Sequence, residues 1–151
     1  MKIIKKSHIH KPCVGWREWL ELPELGIPAV KAKVDTGART SAIHAFKVEP
    51  FQKSKKHYVR FWVHPLQKDK KYKICCEAPL VDYRSVVDSG GHREKRYVIE
   101  TPVKLGDYIW PIEITLTNRD TMLFRMLLGR TALKGRFVVD PGLSFCIGKL
   151  K

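Results

Sequence analysis

The tripeptide Asp35-Thr36-Gly37, entered from a strand-like run at residues 27–34 and followed by Ala38, sets a carboxylate at a tight turn. A threonine can fix such a turn by hydrogen bonding, and a glycine lets backbone approach the carboxylate closely. Hydrolysis of an amide by carboxylates needs two of them sharing one proton. The ionised member takes a proton from water, and the neutral member donates to the substrate carbonyl. Like charges that close cannot both ionise, so the apparent pKa values of the pair split. The chain carries one convincing tripeptide of this kind. The chemistry therefore predicts a homodimer in which Asp35 of each subunit faces its mate across a two-fold axis. Asp, Thr and Gly are also common turn residues, so the tripeptide alone is a weak signal.

The elements around it read as β nearly throughout. Strands are expected at residues 16–22, 27–34, 41–48, 57–64 and 71–78, then at 103–105 and 108–117 about a turn at Gly106-Asp107. Residues 85–100 read as a hairpin turning at Asp88-Ser89-Gly90-Gly91. Short strands at this spacing, with little helical periodicity, predict a mainly β, closed or partly closed barrel in a single domain, with residues 1–13 as an N-terminal extension and 14–144 as the core. One short helix is expected after Gly129, where the apolar strand Met126-Leu127-Leu128 ends in Gly129-Arg130. Val86-Val87-Asp88-Ser89-Gly90 also runs from apolar residues into Asp-Ser-Gly. That triplet resembles the variant found in two-lobed aspartic proteases, whose lobes each carry an apolar-apolar-glycine support segment; here Leu127-Leu128-Gly129 stands alone, so Asp88 is read as a hairpin tip.

Together, Asp35-Thr36-Gly37-Ala38-Arg39-Thr40-Ser41-Ala42-Ile43-His44-Ala45, Arg96-Tyr97-Val98-Ile99-Glu100-Thr101, Leu116-Thr117-Asn118-Arg119 and Leu127-Leu128-Gly129-Arg130 resemble the retropepsins, the single-lobed aspartic proteases. They are most similar to the bacterial retropepsin-like family of the RimB type, often labelled ATP-dependent zinc proteases. The resemblance covers roughly residues 14–144. It implies catalysis by Asp35, Thr36 and Gly37, with Leu127, Leu128, Gly129 and Arg130 supporting that loop. It also implies a mobile hairpin over the substrate, for which residues 86–97 are the candidate. Many retropepsins place an acidic residue after Asp-Thr-Gly-Ala to pair with the arginine that follows the supporting glycine. Here Arg39 and Arg130 are both cationic, so that pair cannot form in the same way. Ala38 and Arg39, with Arg93, Arg96 and Arg119, are the expected substrate contacts, because arginine suits bidentate recognition of a carboxylate. The resemblance further implies a partner, an ATP-grasp glutamate ligase of the RimK type, and an acidic substrate such as a glutamylated ribosomal protein tail.

Composition agrees without supplying the substrate. Among 151 residues, 29 basic against 15 acidic give a formal charge of +14, clustered at residues 53–56, 68–73 and 92–96. Such a field attracts acidic peptides and also nucleic acid. A non-catalytic basic β-barrel binding RNA or ribosomes is the leading alternative, with Tyr58, Phe61 and Trp62 as its aromatics, although alternation along the strand favours a core role for them. A degenerate protease fold used as an interaction module is the other. No apolar run approaches a membrane span, and a cytoplasmic protein is expected. The four cysteines form no Cys-x-x-Cys pair and read as buried free thiols. There is neither a GxxxxGK[ST] phosphate loop nor an HExxH motif, and the six histidines are scattered. No cofactor and no catalytic metal are expected.

Overall fold

The computed structural model describes residues 11–88, 90–118 and 123–150. Arg119, His8 and His10 lie outside the described residues. Among the described residues, eleven strands, a 3-10 turn at Pro23–Leu25 and one α-helical turn follow in order. They are β1 (Cys13–Val14), β2 (Arg17–Leu22), β3 (Ile27–Asp35), β4 (Ser41–His44), β5 (Lys47–Lys53), β6 (Lys56–Val63), β7 (Ile74–Val87), β8 (Arg93–Leu105), β9 (Tyr108–Thr117), β10 (Met126–Gly129), α1 (Arg130–Leu133) and β11 (Val138–Val139).

The main sheet has nine strands in the order β2-β3-β10-β4-β9-β8-β7-β6-β5, and β2 also meets β8. Six of them, β2, β3, β10, β4, β9 and β8, therefore form a ring, while β7, β6 and β5 extend from it as an antiparallel flap of sheet. The expected closed barrel is thus a ring with an extension rather than a simple cylinder. Its seam is thin, because Glu21 opposite Lys104 is the one paired position between β2 and β8.

Two strand boundaries differ from the sequence reading for the same reason, a change of partner in mid-run. Residues 41–48 read as one strand, but the chain leaves β9 at Ala45, whose N–H reaches the Thr117 carbonyl, and joins β6 at Phe46, whose N–H reaches the Trp62 carbonyl. Conversely, the strand expected to end at residue 78 runs on unbroken to Val87. Pro79 ends the ladder with β6, opposite Tyr58. The ladder with β8 begins at Leu80 and shifts register between Leu80 and Asp82. A proline is tolerated where one ladder ends and the next begins.

One hydrophobic cluster fills the ring and runs under the extension, from Val14 and Leu20 through Val34, Phe61 and Ile99 to Leu128 and Phe137. Phe61 is fully buried there, whereas Tyr58 and Trp62 sit on the outer face of β6. Burial of each such side chain stabilises by about 1.5–3 kcal/mol. The cysteines split: Cys76 is buried, Cys75 on the opposite face is exposed, and Cys13 and Cys146 are half-buried free thiols. Burial pushes the Cys76 thiol up to about 12.

The packed chain continues past Ser144. Glu18 is wholly buried, and its carboxylate accepts four backbone N–H groups. Those of Gly15 and Cys146 reach Oε2 at 2.7 and 2.9 Å, and those of Ile147 and Gly148 reach Oε1 at 3.0 and 2.7 Å. A buried charge is tolerable only when so satisfied. The result fastens residues 146–148 across β2 close to the thin seam. A Cβ on Gly148 would lie 2.0 Å from the Trp19 carbonyl oxygen, so the close approach needs glycine.

Candidate active site

Asp35 is the last residue of β3. It is set there by β10, which runs parallel to β3 with Leu128 opposite Val34 and Gly129 opposite Asp35. Leu128 and Val34 are both buried, so hydrophobic packing fixes the register that brings the Gly129 backbone beside the carboxylate. The turn itself closes locally: the Gly37 N–H donates to Asp35 Oδ1 at 3.0 Å, and the Ala38 N–H to the Asp35 carbonyl at 3.2 Å.

The segment after β10 then grips the loop from outside. The Arg130 N–H donates to the Ala38 carbonyl at 2.7 Å, and the Thr131 N–H to the Arg39 carbonyl at 3.0 Å. The Arg130 guanidinium donates to the Thr36 carbonyl at 2.9 Å. Gly129 donates its N–H to the buried Ser41 hydroxyl at 2.9 Å. A Cβ at Gly129 would stand 2.6 Å from the Thr40 carbonyl carbon, so the glycine is what lets the two backbones touch.

A cavity of about 540 Å³ opens over Asp35, with Ala38, Arg39, Leu127 and Arg130 on the loop side. Arg84, Val86, Asp88 and Arg96 of the β7–β8 hairpin form the facing wall. The hairpin turns where expected, with Val87 opposite Arg93. Asp88 caps its tip: Oδ1 accepts the N–H groups of Gly90 and His92, each at 2.9 Å.

The arginines around the site differ in how they are held. Arg39 is exposed, and its guanidinium has no carboxylate partner among the described residues. Arg96 is buried in the hairpin wall, where Nε donates to Glu94 and Nη1 to the Thr115 hydroxyl at 3.3 Å. Arg84, which the sequence reading passed over, lies directly opposite Arg96 across the hairpin. It reaches Asp82 at 2.8 Å and Glu113 at 3.0 Å. The hydrogen bond to Glu113 holds Arg84 above the usual guanidinium range, against partial burial and with help from Asp82. Arg84 in turn, with the Tyr83 N–H, holds Asp82 below the usual carboxylate range. Alternation with Val86 and Asp88 along one strand was the signal that could have found Arg84.

Arg93 is not part of the cavity lining; its Nη1 donates to the Ser85 hydroxyl at 3.4 Å and both residues are exposed. Ser41 and Thr115 were also passed over, because a buried hydroxyl that bonds across strands has no motif: Ser41 accepts the Gly129 N–H, and Thr115 accepts from Arg96 and donates to the Ser41 carbonyl. Among the described residues no cluster of three or more His, Cys, Asp or Glu comes together. No helix among them is long and apolar enough to cross a membrane.

The comparisons with known proteins fit this geometry. Residues 13–149 match the RimB-like family, described as retropepsin-like aspartic endopeptidase RimB. The fold resembles the crystal structure of a Legionella pneumophila protein of unknown function, with a TM-score of 0.77 and 30% identity, covering 91% of this chain and 98% of that one. Proteins named alpha-L-glutamate ligases are also similar. The one from Desulfotalea psychrophila is 48% identical over 142 residues, 94% of this chain and 31% of its own length. The one from Parasynechococcus marenigrum is 50% identical over 141 residues, 93% of this chain and 30% of its own length. The chain thus spans less than a third of these relatives. With the loop, its supporting strand and the hairpin in the order the motifs required, the chain belongs to the RimB-like family of retropepsin-like aspartic endopeptidases.

Proposed function

We propose that the protein is an aspartic endopeptidase that hydrolyses peptide bonds in acidic, glutamate-rich peptides and acts as a homodimer. The observation that carries this reading is Asp35, held at the floor of a cavity by Gly37 and by the Gly129-Arg130 segment. The dimer follows from the chemistry. One carboxylate must take a proton from water while a neutral one donates to the substrate carbonyl, and the other aspartate lining this cavity, Asp88, is occupied in capping its own turn. A second Asp35 supplied across a two-fold axis completes the pair.

What supports an acidic substrate is the chain's charge of +14 together with Arg39 and Arg130, two guanidiniums beside Asp35 whose described hydrogen bonds go to no carboxylate. A free guanidinium in a cleft favours carboxylates bidentately. Similarity to part of longer proteins named glutamate ligases supports a partnership with an ATP-grasp ligase of the RimK type in the cytoplasm. The ligase would add the residues that this site removes, with a glutamylated ribosomal protein tail as one such substrate. Binding of RNA is the weaker reading. On the outer face of β5 and β6 the chain's own cations already cover the rings: Lys47 lies 4.7 Å from Trp62, Lys53 5.8 Å from Tyr58 and Arg60 4.7 Å from Phe51. Stacking of bases would have to displace them.

The test is cleavage of an oligoglutamate-tailed peptide with and without EDTA, alone and with an excess of Asp35→Asn subunits. Cleavage that survives EDTA and is poisoned by the mixed-in variant supports a shared pair of aspartates. Cleavage abolished by EDTA, or untouched by the variant under conditions where subunits exchange, overturns the reading.

A further inference from the structure

A continuous run of buried hydrogen bonds joins the hairpin to the segment that supports Asp35. From β8, Arg96 donates Nη1 to the Thr115 hydroxyl of β9 at 3.3 Å. The Thr115 hydroxyl in turn donates to the Ser41 carbonyl of β4 at 3.2 Å. The hydroxyl of that same Ser41 accepts the Gly129 N–H at 2.9 Å, and Gly129 stands opposite Asp35. At the hairpin end, Glu94 anchors the run by accepting from both Arg96 and the Thr117 hydroxyl, the latter at 2.9 Å. Ser41 is 0% and Thr115 1% exposed, with Arg96 and Thr117 only slightly more. Ser41 is shut off from solvent, so a bond lost there leaves a buried group unpaired, while Arg96 and Thr115 stand at the cavity wall.

This arrangement exceeds what packing needs. Thr115 sits between Val98 and Ala42 in the middle of the ring, where valine would fill the same volume. Arginine in a buried wall is costly unless fully paired. Here its pairing runs toward the catalytic loop on one side and the hairpin acid on the other. The cavity-facing part of the hairpin and the loop beneath it thus share one set of donors and acceptors. Ser41 occupies the middle, holding Thr115 with its carbonyl and Gly129 with its hydroxyl.

We propose that Arg96 is a positioning residue: through Thr115 and Ser41 it makes the seat of the hairpin set the placement of the Asp35 loop. Its effect on turnover rests on the peptidase reading above, while its effect on the loop does not.

The experiment compares Thr115→Val with Thr115→Ser. It reads backbone hydrogen exchange over residues 35–41 and 129–131, and kcat and KM on the oligoglutamate peptide. In the valine variant, exchange rises in both loop segments and kcat falls about ten- to a hundredfold with KM little changed, as expected when a catalytic group is misplaced while substrate binding is kept. The serine variant restores both. Arg96→Lys, which keeps a cation near Glu94 while withdrawing the Nη1 donor, reproduces the exchange change from the hairpin side should the valine variant fail to fold. Val59→Ala, a core truncation under the sheet extension, lowers the melting temperature without raising exchange at the loop. Exchange that stays unchanged at residues 35–41 and 129–131, or that rises as much in Val59→Ala, overturns the proposal. A wild type that cleaves nothing would sink the peptidase reading and leave the exchange result to decide this one.

Discussion

Two Asp-x-Gly turns face one cavity, and at the level of the turn they are nearly alike. In the loop after β3 the Gly37 N–H reaches Asp35 Oδ1 at 3.0 Å; at the hairpin tip the Gly90 N–H reaches Asp88 Oδ1 at 2.9 Å. A third, Asp140-Pro141-Gly142, closes in the same way at 2.9 Å. The bond is therefore a property of the tripeptide, a side chain standing in for backbone in a short turn. What separates the first from the others is the scaffold. The Asp35 loop is held by Gly129, Arg130 and Thr131 from a parallel strand and helical turn, while Asp88 spends its carboxylate on its own turn. Asp35 Oδ1 accepts one N–H of its turn and other parts of the chain brace the rest, whereas Asp88 Oδ1 accepts two N–H groups of its own turn.

The sharpest way to break that comparison is to remove the charge from each turn without removing the turn. Asparagine keeps an Oδ1 acceptor, so Asp35→Asn preserves the bond to Gly37 and should leave the melting temperature within a few degrees of wild type. Cleavage should nonetheless fall by about a thousandfold or more, the scale of losing a general acid or base. Peptide assay and calorimetry on one preparation check both halves. A large drop in melting temperature would mean that the aspartate builds the loop rather than being presented by it.

Next in size is a pair of glycine substitutions that contrasts how the two turns are held. Gly129→Ala pushes a Cβ to 2.6 Å from the Thr40 carbonyl carbon and 2.8 Å from the Ser41 nitrogen, both backbone atoms. Overpacking of that kind costs about 1–3 kcal/mol, and here the movement would pass straight into the loop, so activity should fall with stability. At the hairpin tip, Gly91 has φ +83 and open space around it. Gly91→Ala should cost about 1–2 kcal/mol through left-handed strain and act on KM more than kcat. Denaturant melts and steady-state kinetics on both variants measure the contrast. Equal effects on kcat would erase the distinction between a braced loop and a free tip.

Arg39→Ala should leave the fold intact, because the side chain is exposed and its carbonyl, not its guanidinium, meets Thr131. The expected result is a rise in KM of about tenfold or more for acidic peptides and little change for neutral ones, the worth of a hydrogen bond to a charged group. Parallel kinetics on glutamate and glutamine versions of one peptide decide it. An equal loss on both would assign Arg39 to the loop instead.

Much of this was legible in the chain. Asp35-Thr36-Gly37 and Leu127-Leu128-Gly129 were readable as parts of a candidate site because each is local: a turn, and an apolar pair ending in glycine. The hairpin was legible because Gly90-Gly91 follows alternating residues. The strand boundaries were less so, since a run such as 41–48 changes partner from β9 to β6 without any change in residue type, and only long-range pairing marks the boundary. Arg84, Ser41 and Thr115 escaped for a related reason. An arginine in an alternating strand, or a serine after a turn, reads as surface until the strand opposite is known. Arg93, near Arg96 in sequence, does not line the cavity itself but donates to the Ser85 hydroxyl, which does.

The smallest expected effect is also the one with the most leverage on the dimer. Asp88→Asn keeps the acceptor for Gly90 and His92, so stability should change by no more than about 0.5 kcal/mol and cleavage by no more than a few-fold. Asp88→Ala, which orphans both N–H groups at an exposed tip, should loosen the hairpin by about 1 kcal/mol without touching the chemistry. Were Asp88→Asn instead as inactive as Asp35→Asn, with its melting temperature intact, the second carboxylate would belong to the same chain. Sedimentation would then find full activity in a monomer. The two turns, so different in how they are held, would have to be read as two halves of one catalytic pair.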